Sequence, residues 1–207
     1  TKPFTDLIVP DVLEAVYYDI GAKGVAYNDV VYEDADKFGS NSQSWNNGWI
    51  FRNDGVDIEY SSDYTRSGLN IGWIEDGEWL IYTVWAPYSR SYNFSFYTAS
   101  LNENGQLLLS VVGQSSSEVF QIPKTNDWQN WAWTDTASAY LSGGENVIRL
   151  QALKGGFNLK SIKIEGASPN TVPKDYTIKN YPNPFNTETT FYLTNSIETT
   201  SEIEIYD

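Results

Sequence analysis

Thr125-Asn126-Asp127-Trp128-Gln129-Asn130-Trp131-Ala132-Trp133 reads as a turn running into a β-strand, with tryptophan at every second or third position. A period of two puts Trp131 and Trp133 on one face of that strand, read here as the core face. Trp128 falls before the strand, on a polar loop of Asn, Asp and Gln where no core needs it. A loop indole exposes apolar surface that folding normally hides. Two readings follow: a lid folded back over the core, or a platform for a flat ligand with an apolar face, of which a pyranose ring is the common example.

Outward from this stretch the strand pattern continues in both directions. Strands are predicted near 12–17, 56–60, 72–74, 78–84, 92–97, 107–112, 119–122, 131–134, 146–152 and 159–165. Gly, Asn and Pro turns separate them, and no helical period intervenes. The runs Trp79-Leu80-Ile81-Tyr82 and Leu107-Leu108-Leu109 suit strands in the middle of a sheet. Such spacing predicts an all-β fold, a β-sandwich jelly roll of two antiparallel sheets. Trp73, Trp79 and Tyr82 are expected in its core, and Trp85 and Tyr88 in a loop. A long polar loop at 33–48 holds Glu33, Asp34, Asp36, Trp45 and, at its end, Trp49; loops of this length are functional or disordered. Residues 1–10 read as a linker, 11–166 as the main domain and 167–176, with two prolines, as a second linker. The remainder, 177–207, holds about three strands, a short partial β segment unable to bury a core alone.

Composition narrows the chemistry. The 207 residues include no Cys, no His and no Met. Disulfides, thiolate chemistry, Ser-His-Asp catalysis and the usual zinc ligands are therefore excluded. The missing Met suggests a piece of a longer polypeptide. A formal charge of −14 opposes nucleic acid and anionic membranes. No apolar run reaches the roughly 20 residues of a membrane span, so no membrane insertion is expected. Aromatic residues make up 15% of the chain, which suits a β-protein with aromatic surface.

Seven segments, taken in order, resemble the family 6 carbohydrate-binding modules: Leu13-Glu14-Ala15, Gly24–Asp29, Asn53–Glu59, Asn70–Ile74, Gly77–Val84, Asp127–Trp131 and Gly156–Leu159. The resemblance spans about 12–166. It implies a non-catalytic jelly roll whose loops sandwich a sugar between two aromatic rings and orient it with an asparagine. On that basis Trp128 is one ring and Asn158 the asparagine, with a turn-capping role for Asn158 as the alternative. The second ring corresponds to Phe51, preceding Arg52, with Trp49 and Trp45 close by; core packing at a loop base is the alternative for Phe51 and Trp49. The ligand expected is a polysaccharide or oligosaccharide, first a β-1,3-glucan of the laminarin type and next agarose. The partner expected is a parent glycoside hydrolase domain upstream in the same chain, and the module is expected to be a monomer.

The family often carries a structural calcium, but here Val16 and Lys160 stand where acids are expected, beside a retained Glu14. Calcium is thus possible, or Lys160 pairs with Glu14 in its place. Glu33, Asp34 and Asp36 offer oxygen ligands for a hard cation, or form a solvated acidic loop. One rival reading is a glycoside hydrolase fragment using Asp54, Asp57 and Glu59; another is an adhesion or protein-interaction module. Finally, Lys179-Asn180-Tyr181-Pro182-Asn183-Pro184-Phe185-Asn186 resembles the opening of the C-terminal sorting domains of type IX secretion in Bacteroidetes-like bacteria, which implies a secreted, extracellular or cell-surface location.

Overall fold

Alternation of apolar and polar side chains sets each strand, and the computed structural model of the chain brings these strands into two sheets. It describes residues 1–30, 51, 52 and 54–166, with the backbone of 177–181 and 190–194. The strands of the first unit, Thr1–Ala167, are β1 (Leu7–Ile8), β2 (Asp11–Glu14), β3 (Tyr27–Asn28), β4 (Ile58–Tyr60), β5 (Leu69–Ile71), β6 (Trp79–Ala86), β7 (Arg90–Ser100), β8 (Gln106–Val111), β9 (Ser117–Gln121), β10 (Asp127–Trp133), β11 (Ala137–Leu141), β12 (Gly144–Lys154) and β13 (Asn158–Gly166). The first sheet has the order β1-β6-β12-β8-β9, with β3 also on β6; the second runs β10-β7-β13-β5-β4, with β11 on β7 and β2 on β13. All pairings in these two sheets are antiparallel except β1 with β6. This is the sandwich that the sequence predicts. In the second unit, β14 (Thr177–Tyr181) pairs antiparallel with β15 (Thr190–Thr194); the third strand expected within 177–207 lies outside the described residues. Among the described residues no helix is long and apolar enough to cross a membrane.

The core lies between the sheets. Ile148 and Leu150 on β12 and Leu107 and Leu109 on β8 point inward from the first sheet, and Phe94, Phe96 and Ile162 from the second. Phe96 meets Phe120 of β9 edge to face across the gap, at 4.7 Å between centroids.

Three expectations are corrected. Residues 1–10 are not a linker: Leu7 and Val9 are buried, β1 pairs with β6, and Lys2 exchanges backbone hydrogen bonds with Ile20. Trp131 and Trp133 do not face the core. Trp133 stacks on Tyr97 at 4.7 Å and Trp131 lies tilted against it at 5.9 Å, with Trp133 still 39% exposed. The register slips between Asp127 and Ala132, and the β7 residues beneath already bury their opposite face. Third, Lys160 does not form an ion pair with Glu14. Its Nζ donates to the Thr65 carbonyl at 3.2 Å, while Arg66 Nε stands 3.8 Å from Glu14 Oε1 and Ser67 Oγ donates to Oε2. Arg66 and Ser67 engage that carboxylate, whereas calcium takes six to eight oxygens. Among the described residues no cluster of three or more acidic side chains could hold a metal. Glu33, Asp34 and Asp36 lie outside those residues.

Asp29, at the end of β3, is 4% exposed, and its Oδ1 has no hydrogen-bond partner. Burial pushes its pKa up to about 7, aided by the charge of Asp57 and of Glu75 and opposed by Lys23 and a backbone N–H of Asp57. Burial and then the charge of Asp29 push Glu78 up to about 7 as well. Both titrate near 4 when unfolded, so the folded chain binds more protons between about pH 4 and 7. Their contribution to stability is full below that window and is lost as pH rises through 7. Asp29→Asn is expected to raise the thermal midpoint at pH 8 and leave it nearly unchanged at pH 4. Melting curves of both proteins at the two pH values check this, and parallel profiles contradict it.

Candidate functional site

At one end of the sandwich, four strands of the second sheet contribute to a polar knot. Glu59 on β4 points to β5, β10 and β13. Its Oε1 accepts hydrogen bonds from Asn70 Nδ2 at 3.1 Å, Gln129 Nε2 at 2.8 Å and Asn158 Nδ2 at 2.9 Å. Asn158 Nδ2 donates also to the Trp128 carbonyl at 2.9 Å. Both of its acceptors are oxygens, which fixes the orientation of the Asn158 amide. With the amide donors so engaged, no donor among the described residues is seen on Glu59 Oε2 or Asn158 Oδ1. Gly72 permits the close approach: a Cβ there would sit 3.2 Å from Glu59 Oε1 and 3.5 Å from Asn158 Oδ1. The knot therefore presents acceptors and few donors.

The strand carrying Trp128 is tied down on every side. Asn126 takes a left-handed backbone with φ 64°, Thr125 Oγ1 donates to the Asp127 carbonyl at 2.9 Å, and Asn130 Nδ2 donates to the Thr125 carbonyl at 2.8 Å. Gln129 Oε1 accepts from the Ser62 N–H at 2.8 Å. Trp128 itself is 41% exposed, neither swallowed by the core nor laid over it as a lid. It lies within β10 rather than before it.

A second indole stands with it. Trp73 is expected in the core from the strand predicted at 72–74, but β5 ends at Ile71. Trp73 takes φ 48° in the following turn and is 41% exposed. A left-handed conformation at a bulky residue is uncommon and swings the side chain out of the strand alternation. Trp73 and Trp128 bound two adjoining hollows. The inner one, of about 230 Å³, is completed by Glu59, Gln129 and Asn158. The outer one, of about 580 Å³, is completed by residues including Glu75, Asp76, Gly155 and Gly156. Asp76 braces the outer wall, accepting from Lys154 Nζ and the Gly155 N–H, both at 2.8 Å. The Lys154 hydrogen bond holds its carboxyl below the ordinary range. Gly155 packs so tightly that a Cβ would meet the Ile74 carbonyl oxygen at 2.2 Å.

Of the residues assigned to the site by sequence, Trp128 and Asn158 come together, while Phe51 does not join them. Phe51 packs on Phe4 and Tyr17 at 5.3 and 5.9 Å, drawn there by Arg52. The Arg52 guanidinium lies over Tyr18 at 3.6 Å and pairs with Asp54 at 3.0 Å, so the segment is anchored in the body of the domain. Trp49 and Trp45 lie outside the described residues. Sequence reading misses Trp73, Gln129 and the floor role of Glu59; the signal available for Trp73 was the adjoining Gly72. The carboxylates of the hydrolase reading are otherwise engaged: Asp54 is held by Arg52 and by Tyr18 Oη at 2.6 Å, and one oxygen of Glu59 carries three amides.

Two indoles beside an acceptor-rich floor form a site that can hold a polar ring with apolar faces. The family model described as "Carbohydrate binding module (family 6)" matches residues 50–166. No curated protein matches. Among solved structures, the C-terminal family 6 module of a marine laminarinase from Zobellia galactanivorans is 23% identical, with 75% of this chain and 98% of that one covered and a TM-score of 0.54. A β-1,3-glucan-binding family 6 module from Bacillus halodurans is 20% identical over 78% of this chain and 100% of that one, with a TM-score of 0.53. A module from lichenase 5A of Cellvibrio mixtus, solved with cellotriose, is 33% identical over 55% of this chain and 88% of that one, at a TM-score of 0.49. The chain belongs to the family 6 carbohydrate-binding modules, which bind carbohydrate without catalysing its cleavage.

Proposed function

We propose that the inner hollow holds one sugar unit of a neutral β-glycan, with a β-1,3-glucan of the laminarin type as the first ligand and agarose as the second. The observation that carries this reading is the pair Trp73 and Trp128 beside Glu59 Oε2 and Asn158 Oδ1. Indole faces desolvate the C–H faces of a pyranose and favour its polarised C–H bonds. Glu59 Oε2 and Asn158 Oδ1 accept from hydroxyls, so the floor favours a ring rich in O–H donors. A glucose unit offers a donor at each free position, whereas the 3,6-anhydro ring of agarose replaces two of them with an ether. Glu59 and Glu75 oppose uronates and sulfate esters, since an unpaired anion beside a carboxylate is costly. Glucan is also the ligand named for one fold neighbour and the substrate implied by another.

The wider setting rests on sequence alone. We infer a secreted module appended to a glycoside hydrolase and exported through the type IX route, on the strength of residues 179–186, and expect it to be a monomer.

Affinity for a short oligosaccharide is expected in the micromolar-to-millimolar range, roughly 4–8 kcal/mol for one or two held rings. Titration calorimetry with laminaritriose is expected to show Trp128→Ala weakened by about 2 kcal/mol or more, the size of a central binding residue. Trp73→Ala is expected to weaken it in the same direction, and unchanged titrations contradict the site. Glu59→Gln keeps the shape but turns an acceptor into an amide, in a knot already crowded with amide donors. It is expected to lower affinity by about 1–3 kcal/mol through lost charge-assisted hydrogen bonding. Binding equal to that of the unaltered chain would show that Glu59 does not face the sugar.

A further inference from the structure

Trp73, the second indole of the slot, sits on a turn whose two ends are tied to two carboxyl groups. On one side a backbone N–H of Asp57 bonds to the Asp29 carboxyl, and the Asp57 carbonyl accepts from the Gly72 N–H at 2.9 Å. On the other side Glu78 Oε2 accepts from the Glu75 N–H at 3.0 Å. Glu78 Oε1 accepts from the Val30 N–H, also at 3.0 Å, which joins this side of the turn to the residue after Asp29. Asp29 and Glu78 thus clasp residues 72–75 from both ends, although neither lines the hollows at Trp73 and Trp128.

The two carboxyls sit where charge is poorly supported. Asp29 is buried with Oδ1 unpartnered. Both groups border a cavity of about 30 Å³ whose other walls are largely apolar, Val56, Ile71, Leu80 and Leu107 among them. That space has room for about one water, too little to hydrate two charges. Asp57 and Glu75 add negative charge at Asp29, and Glu75 adds it at Glu78, against the exposed Lys23. Of the cations on β12, beside β6, Lys154 is held by Asp76 and Arg149 lies over Trp79, while Glu59 on β4 faces the amide knot. Burial, then like charge, accordingly pushes both carboxyls up to about 7. The part that can yield is β3, which pairs with β6 over two residues only.

We infer that Asp29 and Glu78 form a pH-sensitive clasp on the glycan site: with a proton on the pair the Trp73 turn is held closed, and once both carboxyls ionise their repulsion releases it. The inference rests on the reading of the slot between Trp73 and Trp128 as the place where sugar binds. The closed turn keeps the carboxyls away from water and raises their proton affinity, whereas an open turn hydrates them and lowers it. Rising pH therefore favours the open form, from about pH 7 upward. A neutral sugar that needs Trp73 in place selects the closed form. Its affinity falls as pH rises through 7, and by reciprocity its binding takes up protons in that range.

Calorimetric titration of the whole chain with laminaritriose at pH 6 and pH 8.5 tests the clasp, with the Trp73 indole N–H resonance followed over the same range without sugar. Affinity is expected to fall by about fivefold or more between the two values, and the Trp73 resonance to move with a midpoint at about 7. At pH 7.5 proton uptake is expected to appear as a binding enthalpy that differs between phosphate and Tris buffers. Asp29→Asn keeps the shape and removes one titrating group. It is expected to bind like the unaltered chain at pH 6, to hold that affinity at pH 8.5, and to show no buffer-dependent enthalpy. Equal affinity of the unaltered chain at both pH values, or a pH dependence that survives in Asp29→Asn, overturns the clasp and leaves the slot standing. A Trp73 resonance that stays still through pH 7 overturns it as well. Movement of that resonance near pH 7, abolished by Asp29→Asn but accompanied by no binding of laminaritriose or agarose oligosaccharides at either pH, supports the clasp and contradicts the glycan reading of the slot.

Discussion

One carboxylate oxygen holds the binding end of the sandwich together. Glu59 Oε1 collects amide hydrogens from Asn70, Gln129 and Asn158, side chains delivered by three other strands of the sheet. A charged acceptor beneath a partly buried surface is stable only when its lone pairs are met. The three amides meet that need and in doing so fix the position of Asn158. Through Asn158 the same knot holds the carbonyl of Trp128, so the stacking surface and the polar floor are parts of one network.

The rest of the site follows from this arrangement. Gly72 is small enough to pass beside the carboxylate, and the chain beyond it turns left-handed at Trp73, which places a second indole at the rim. Gly155 lets the β12–β13 corner close against Ile74 and Glu75, and Asp76 ties that corner down. Each wall is therefore set by a bond or a steric limit in the backbone, and little is left to adjust when a ligand arrives. Preorganisation of this kind lowers the entropy lost on binding, which matters for a site that holds only one or two sugar units.

Much of this was legible in the sequence, for identifiable reasons. The strands of the sandwich announce themselves because Ile148, Leu150, Leu107 and Leu109 alternate with polar neighbours, and because glycines mark the turns. Trp128 stands out as an indole on a polar turn, and Asn158 through the family resemblance. The errors have separate physical sources. A strand over 72–74 directs Trp73 inward, but a positive φ reverses the side chain. For Trp131 and Trp133 the period is correct and the face is not, since period alone does not say which side of a sheet is covered. The resemblance puts Phe51 opposite Trp128, yet the Arg52–Asp54 pair beside it holds that segment against Phe4 and Tyr17. The amino-terminal residues looked like a linker because β1 is two residues long, and its parallel pairing with a strand 77 positions away in sequence carries no local signal.

The claim on which the account turns is that the indoles of Trp73 and Trp128 flank a sugar whose hydroxyls reach Glu59 and Asn158. A crystal structure of the chain soaked with laminaritriose tests it most directly. The account predicts a pyranose ring against the two indoles, with hydroxyl oxygens within hydrogen-bonding distance of Glu59 Oε2 and Asn158 Oδ1. A sugar bound elsewhere with the inner hollow holding only solvent would contradict it.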